Sequence, residues 1–128
     1  LLPYDYDNTL GTSNCYDPAK QNPMQWGNMG RLMDRMMRID EFKQIYIAEL
    51  KRLIDPSNGL MDHESATRRI KDWLSRIKEY ISNDTGEDMN IEDKCASWSN
   101  YQYRLLEPSN NYFKVKAESI NNIKGSVD

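Results

Sequence analysis

The sequence predicts a mainly α-helical chain, with about five helices behind a short N-terminal strand and turn. From Gly30 onward apolar side chains recur at spacings of three and four, and Pro56, Gly59, Gly86 and Pro108 interrupt the runs. Past Leu10 there is no run of alternating apolar and polar residues long enough to complete a parallel sheet.

Leu1 to Tyr4 reads as the end of a strand, and Asp5 to Gly11 as the turn leaving it. Residues 12–30 are rich in Asn, Gln, Pro and Gly, which predicts a long loop. Met29, Leu32, Met33, Met36 and Met37 then form one apolar stripe, read as core filling in a first helix. Asp40 or a neighbour caps a second helix, with Phe42, Ile45, Tyr46, Leu50, Leu53 and Ile54 inward until Asp55-Pro56 stops it. Pro56 to Gly59 is a turn. Asp62 or His63 opens a third helix, with Ile70, Trp73, Leu74, Ile77 and Ile81 facing the core, and Asn83 to Gly86 ends it. Ile91, Cys95, Trp98, Tyr101 and Leu105 are spaced four, three, three and four apart, which predicts a fourth helix within residues 87–106. Pro108 breaks it, and Ser109 or Asn110 caps a fifth, with Phe113, Ala117, Ile120 and Ile123 on one face.

At 128 residues the chain is the size of one domain. It has 38% hydrophobic and 29% charged residues and a mean hydropathy of −0.86, a polar surface over a modest core. A net charge of −3 and a pI near 5.2 argue against nucleic acid as a partner, because gripping phosphate backbones takes a clustered cationic excess. The basic groups Arg31/Arg35/Arg38 and Arg68/Arg69/Lys71 are interleaved with Asp34, Asp40 and Asp72, which reads as solvated helix faces. No segment approaches the roughly 20 apolar residues of a membrane span. Cys15 and Cys95 with the single His63 cannot complete a four-ligand zinc site. The two cysteines are read as thiols or as one disulfide, and His63 as an exposed residue near a helix start.

The chemically pointed segment is Tyr4-Asp5-Tyr6-Asp7-Asn8-Thr9-Leu10-Gly11. Two carboxylates one residue apart at a strand end, with Gly11 loosening the backbone, suit a divalent cation and a phosphate. A polar turn in which Asn8 and Thr9 bond their own backbone fits the same residues. Asp5-Tyr6-Asp7-Asn8-Thr9 also resembles the DxDxT signature of haloacid-dehalogenase-like phosphatases, with the first Asp as nucleophile and the second as acid/base. That fold needs alternating strands and helices, which the remaining sequence does not offer.

Pro3-Tyr4-Asp5-Tyr6-Asp7-Asn8-Thr9-Leu10-Gly11, followed by Trp26, Arg31-Leu32-Met33 and the Phe42, Tyr46, Leu50, Leu53 series, resembles the CotH family of atypical kinase-like proteins first associated with the spore coat. The resemblance runs across residues 1–82 and more weakly to Leu106. It implies the tail of a kinase-like C-lobe as the fold, and ATP with Mg²⁺ or Mn²⁺ as cofactors of a longer parent. It also implies a protein substrate, such as a coat or surface protein, and a spore-coat, secreted or cell-surface location. By that analogy Asp5 is the metal ligand, preferred over Asp7, which would orient the loop or reach the metal through water. The nucleotide-clamping Lys, its Glu partner and the catalytic-loop residues fall before that Asp in kinase order. The remainder of the same domain is therefore an expected partner, and the fragment alone is expected to be inactive and to hold no cofactor firmly. A non-catalytic helical interaction or coat-assembly module is the alternative from another functional class.

Overall fold

The computed structural model describes residues 17, 19–24, 30–85, 95–96 and 102–123. Their architecture is mainly helical, as the apolar periodicity predicts: α1 (Arg31–Met36), α2 (Asp40–Ile54), a 3₁₀ turn (Pro56–Asn58), α3 (His63–Thr85) and α4 (Tyr112–Asn121). Two short strands, β1 (Cys95–Ala96) and β2 (Gln102–Tyr103), lie between α3 and α4. The helix expected within 87–106 is therefore corrected, and four α-helices rather than five stand among the described residues. Cys95 pairs with Tyr103 and Ala96 with Gln102 in an antiparallel ladder. Two of the five residues in the 4-3-3-4 spacing, Trp98 and Tyr101, are aromatic, a type that suits a pleated surface at least as well as a helix; with Ile91 they lie outside the described residues.

Helices α2 and α3 join tightly. Because proline disfavours helical geometry in the residue before it, Asp55 is extended (φ −70°, ψ 120°) and α2 stops where the sequence says it should. The Asp55 carboxylate accepts from the Ser57 N–H at 2.9 Å and its hydroxyl at 2.7 Å, capping the 3₁₀ turn. These bonds hold the Asp55 carboxyl below its usual range. Gly59 follows at φ +59°, a left-handed conformation that glycine adopts without a Cβ penalty. Arg69 reaches back from α3 and donates to the Gly59 and Leu60 carbonyls at 2.9 and 3.0 Å. Asp62 then caps α3 by accepting the Ser65 N–H at 3.0 Å. Burial pushes the Asp62 carboxyl up, but the Ser65 bonds and the nearby His63 outweigh it and leave it below the ordinary value.

Helix α4 packs against both α2 and α3. Phe113 and Ile120 are buried on it as predicted, alongside Ile47 of α2 and Ala66 of α3. A second cluster joins Ala19 and Tyr103 to Leu105, Tyr112 and Val115. Tyr112 meets Tyr103 and Phe113 edge-on, with centroids 6.1 and 5.5 Å apart.

Other inward expectations are corrected. Trp73 and Ile77 of α3 are 56% and 45% exposed, and Phe42 and Ile45 of α2 are exposed as well. Leu32 is 71% exposed, so α1 carries no buried residue and its methionine stripe is only half covered. Helix spacing says which residues share a face. What covers that face depends on where α4 lands, and its cross-links to α3 fall near Thr67, well short of Trp73 and Ile77. Among the described residues no helix is long and apolar enough to cross a membrane.

The cap of α4 is Asn111, not Ser109 or Asn110. Its Oδ1 accepts from the Phe113 and Lys114 N–H groups at 3.0 and 3.3 Å. Asn110 precedes it at φ +49°, a left-handed geometry that asparagine tolerates. The Asn110 carbonyl accepts from the Arg104 N–H at 2.9 Å, and the Arg104 carbonyl from the Tyr112 N–H at 2.8 Å, closing residues 104–112 into a loop. The cap moves one residue downstream because Asn110 is spent on this turn.

Candidate functional site

Asp5 and Asp7, the candidate metal ligands, lie outside the described residues, as do Tyr4 to Gly11 as a whole, Cys15 and Trp26. Cys95 is placed as the first residue of β1, and His63 opens α3 half-buried rather than exposed. Among the described residues no three His, Cys, Asp or Glu side chains converge as a metal site. Asp5 and Asp7 stand as candidates on residue type, since carboxylates are the oxygen donors that Mg²⁺ takes together with phosphate oxygens.

The structure does show how the chain following that motif is fixed to the helices. The Asp17 carboxylate accepts from the Ala19 and Lys20 N–H groups at 3.2 and 3.3 Å, an Asx-type turn that closes on itself. The same Oδ1 accepts a short hydrogen bond from the Tyr103 hydroxyl of β2. Lys116 of α4 donates to the Gln21 carbonyl at 2.9 Å, and Ser119 donates to the Lys20 carbonyl at 3.4 Å. Burial holds the Lys116 ammonium below its usual range, partly offset by the charge of Asp17. From α2, the Tyr46 hydroxyl donates to the Pro23 carbonyl at 3.1 Å, and burial raises its pKa.

Residues 17–24 are thus tied to α2, β2 and α4 by side chains from three separate elements. A groove of about 620 Å³ opens between this segment, α2 and α4, with Lys20, Lys43 and Glu118 at its walls. Asp17 lies ten residues after Asp7 in the sequence. Sequence reasoning missed Asp17 and Tyr103. The Asp17-Pro18 pair was a legible turn signal, but its partner 86 residues away was not.

Tyr103→Phe isolates that tie. It keeps the ring against Ala19 and removes one hydrogen bond to a carboxylate, so the expected cost is about 1.5 kcal/mol of unfolding free energy. Urea unfolding measures it, and a loss below the experimental error would show that the bond contributes nothing to stability.

Comparison with known proteins bears on the whole chain at once. The family model described as CotH kinase protein matches residues 1–121. No curated protein and no solved structure matches the chain. The match spans the Asp5/Asp7 segment, the tied loop and all four helices, and the chain belongs to the CotH kinase protein family.

Proposed function

We propose that this chain is the C-terminal part of a CotH-type atypical kinase, whose full-length protein transfers a phosphoryl group from ATP to a protein substrate with a divalent metal. The observation that carries the reading is the family match over residues 1–121, a range that contains Asp5 and Asp7. In phosphoryl transfer the protein chiefly positions the groups and neutralises charge, so one well-placed carboxylate on the bridging metal has a large effect. Asp5 is the proposed ligand, with Asp7 orienting the loop or acting through water.

When bound, Mg²⁺ or Mn²⁺ neutralises the phosphate oxygens of ATP. The part of this chain's helical body is to hold the segment that follows the carboxylates, through Asp17, Tyr46, Tyr103 and Lys116. The catalytic-loop groups come from the remainder of the same domain, so the fragment alone transfers no phosphate. A coat or surface protein is the proposed substrate class, in line with the family's association with the spore coat.

Thermal unfolding of the full-length protein tests the reading. ATP with Mg²⁺ at a hundredfold excess over Kd is expected to stabilise it by about 2.7 kcal/mol and raise Tm accordingly. No rise with either Mg²⁺ or Mn²⁺ would remove the kinase reading and favour a helical interaction module.

A further inference from the structure

The basic group Arg68/Arg69/Lys71 does not behave as one solvated face. Arg69 spends its guanidinium on the Gly59 and Leu60 carbonyls, whereas Arg68 and Lys71 turn to a groove of about 410 Å³ beside the first turns of α3. His63, Thr67 and Lys71 are spaced four apart, which puts them in one row along the helix, and Arg68 flanks that row. The facing wall is apolar, formed by Leu106 and Pro108.

Two features distinguish this groove from a scatter of surface cations. Its far wall is fixed, because the Thr67 hydroxyl donates to the Leu105 carbonyl at 3.0 Å and Asn111 donates to the Glu107 carbonyl at 2.9 Å. Its cations are also uncompensated. Arg52 and Arg76 each sit within 2.8 Å of a carboxylate, whereas among the described residues neither Arg68 nor Lys71 has one within 4.0 Å. Among the described residues Arg68 makes a 3.4 Å contact to the Ser65 hydroxyl, which leaves most of its donors for a ligand. Glu64 is the single acidic group at the groove. A local cationic excess in a chain of net charge −3 selects an anionic ligand.

We infer that this groove binds a phosphate monoester carried on a peptide, a phosphorylated serine or threonine with its neighbouring residues against Leu106 and Pro108. A phosphate dianion matches two neighbouring cations better than a carboxylate does, and the Arg68 fork can take two of its oxygens at once. The apolar wall gives the flanking peptide a surface that free phosphate would not use. Glu64 and the acidic surface disfavour a nucleic-acid strand. The inference is independent of the kinase reading, because it needs neither ATP nor metal.

The test uses the full chain without nucleotide or divalent metal. Fluorescence anisotropy follows a labelled phosphoserine peptide, its unphosphorylated twin, and competition by phosphatidic acid vesicles. The phosphorylated peptide is expected to bind about tenfold more tightly than its twin, and R68A/K71A to remove that preference while circular dichroism stays unchanged. Equal binding of the two peptides would overturn the inference, as would an unaltered preference in R68A/K71A. Displacement by the vesicles at lower phosphate concentration than by unlabelled phosphopeptide would also overturn it, assigning the groove to a lipid surface. Should R68A/K71A misfold, R68Q/K71Q serves as the same test with less loss of packing.

Discussion

Asn111→Ala is expected to lower the unfolding free energy by about 3 kcal/mol. Asn111 is fully buried and bonds in both directions. Its carbonyl oxygen caps α4 at the Phe113 and Lys114 N–H groups. Its amide donates to the Glu107 carbonyl at 2.9 Å, with longer contacts of 3.4 Å to the Leu105 carbonyl and the Thr67 hydroxyl. Alanine strips the cap, worth about 1 kcal/mol, and removes the amide donor from the Glu107 carbonyl and from the 104–112 loop, at about 1–3 kcal/mol, while the Leu105 carbonyl keeps the Thr67 hydroxyl. Natural domains are stable by only about 5–15 kcal/mol, so the change takes a large share of the total. Asn111→Asp discriminates the two halves of the role. It keeps the capping oxygen but faces the Leu105 and Glu107 carbonyls with a second acceptor, and it should destabilise nearly as much as alanine. A native-like urea midpoint for either variant would show that the 104–112 loop does not depend on this side chain.

In the full-length protein, Asp5→Ala is expected to lower ATP-dependent phosphoryl transfer by about a hundredfold or more, with Asp7→Ala costing about tenfold. The asymmetry follows from the proposed roles. Loss of a direct ligand leaves phosphate charge uncompensated where the metal should sit, whereas loss of an orienting group lets the loop relax around a metal still held. Radiolabel transfer from ATP measures both, and circular dichroism establishes that each variant is folded. Unchanged transfer in Asp5→Ala would sink the assignment of that residue, and a larger loss in Asp7→Ala would reverse the order. Hydrolysis of simple phosphate esters through an aspartyl-phosphate at Asp5 would instead point to phosphatase chemistry.

The places where sequence and structure part company share one cause. Signals confined to a few neighbouring residues were legible. Asp55-Pro56 ends α2, Gly59 takes the left-handed turn, and α3 opens at His63, because each depends on local sterics or a bond within three residues. Residues 95–96 and 102–103 depart from the helical expectation because two strands need each other. Cys95–Ala96 becomes a strand only by pairing with Gln102–Tyr103, and an isolated 4-3-3-4 spacing cannot register that pairing. Trp73 and Ile77 were read inward for the complementary reason: spacing groups them on one side of α3 without saying which neighbour arrives.

By itself, then, the sequence determined the helical class, the stop of α2 and the start of α3, the buried face of α4 at Phe113 and Ile120, and the family. Only the tertiary structure decided that Asn111 rather than Asn110 caps α4, and that Asp17 is bonded to Tyr103. It also decided that Arg69 closes a turn while its neighbours Arg68 and Lys71 line a groove. The physical reason is range. A helix and its stops follow from backbone sterics and bonds a few residues apart, whereas a buried amide, a carboxylate or a guanidinium takes its role from partners that arrive when distant segments pack.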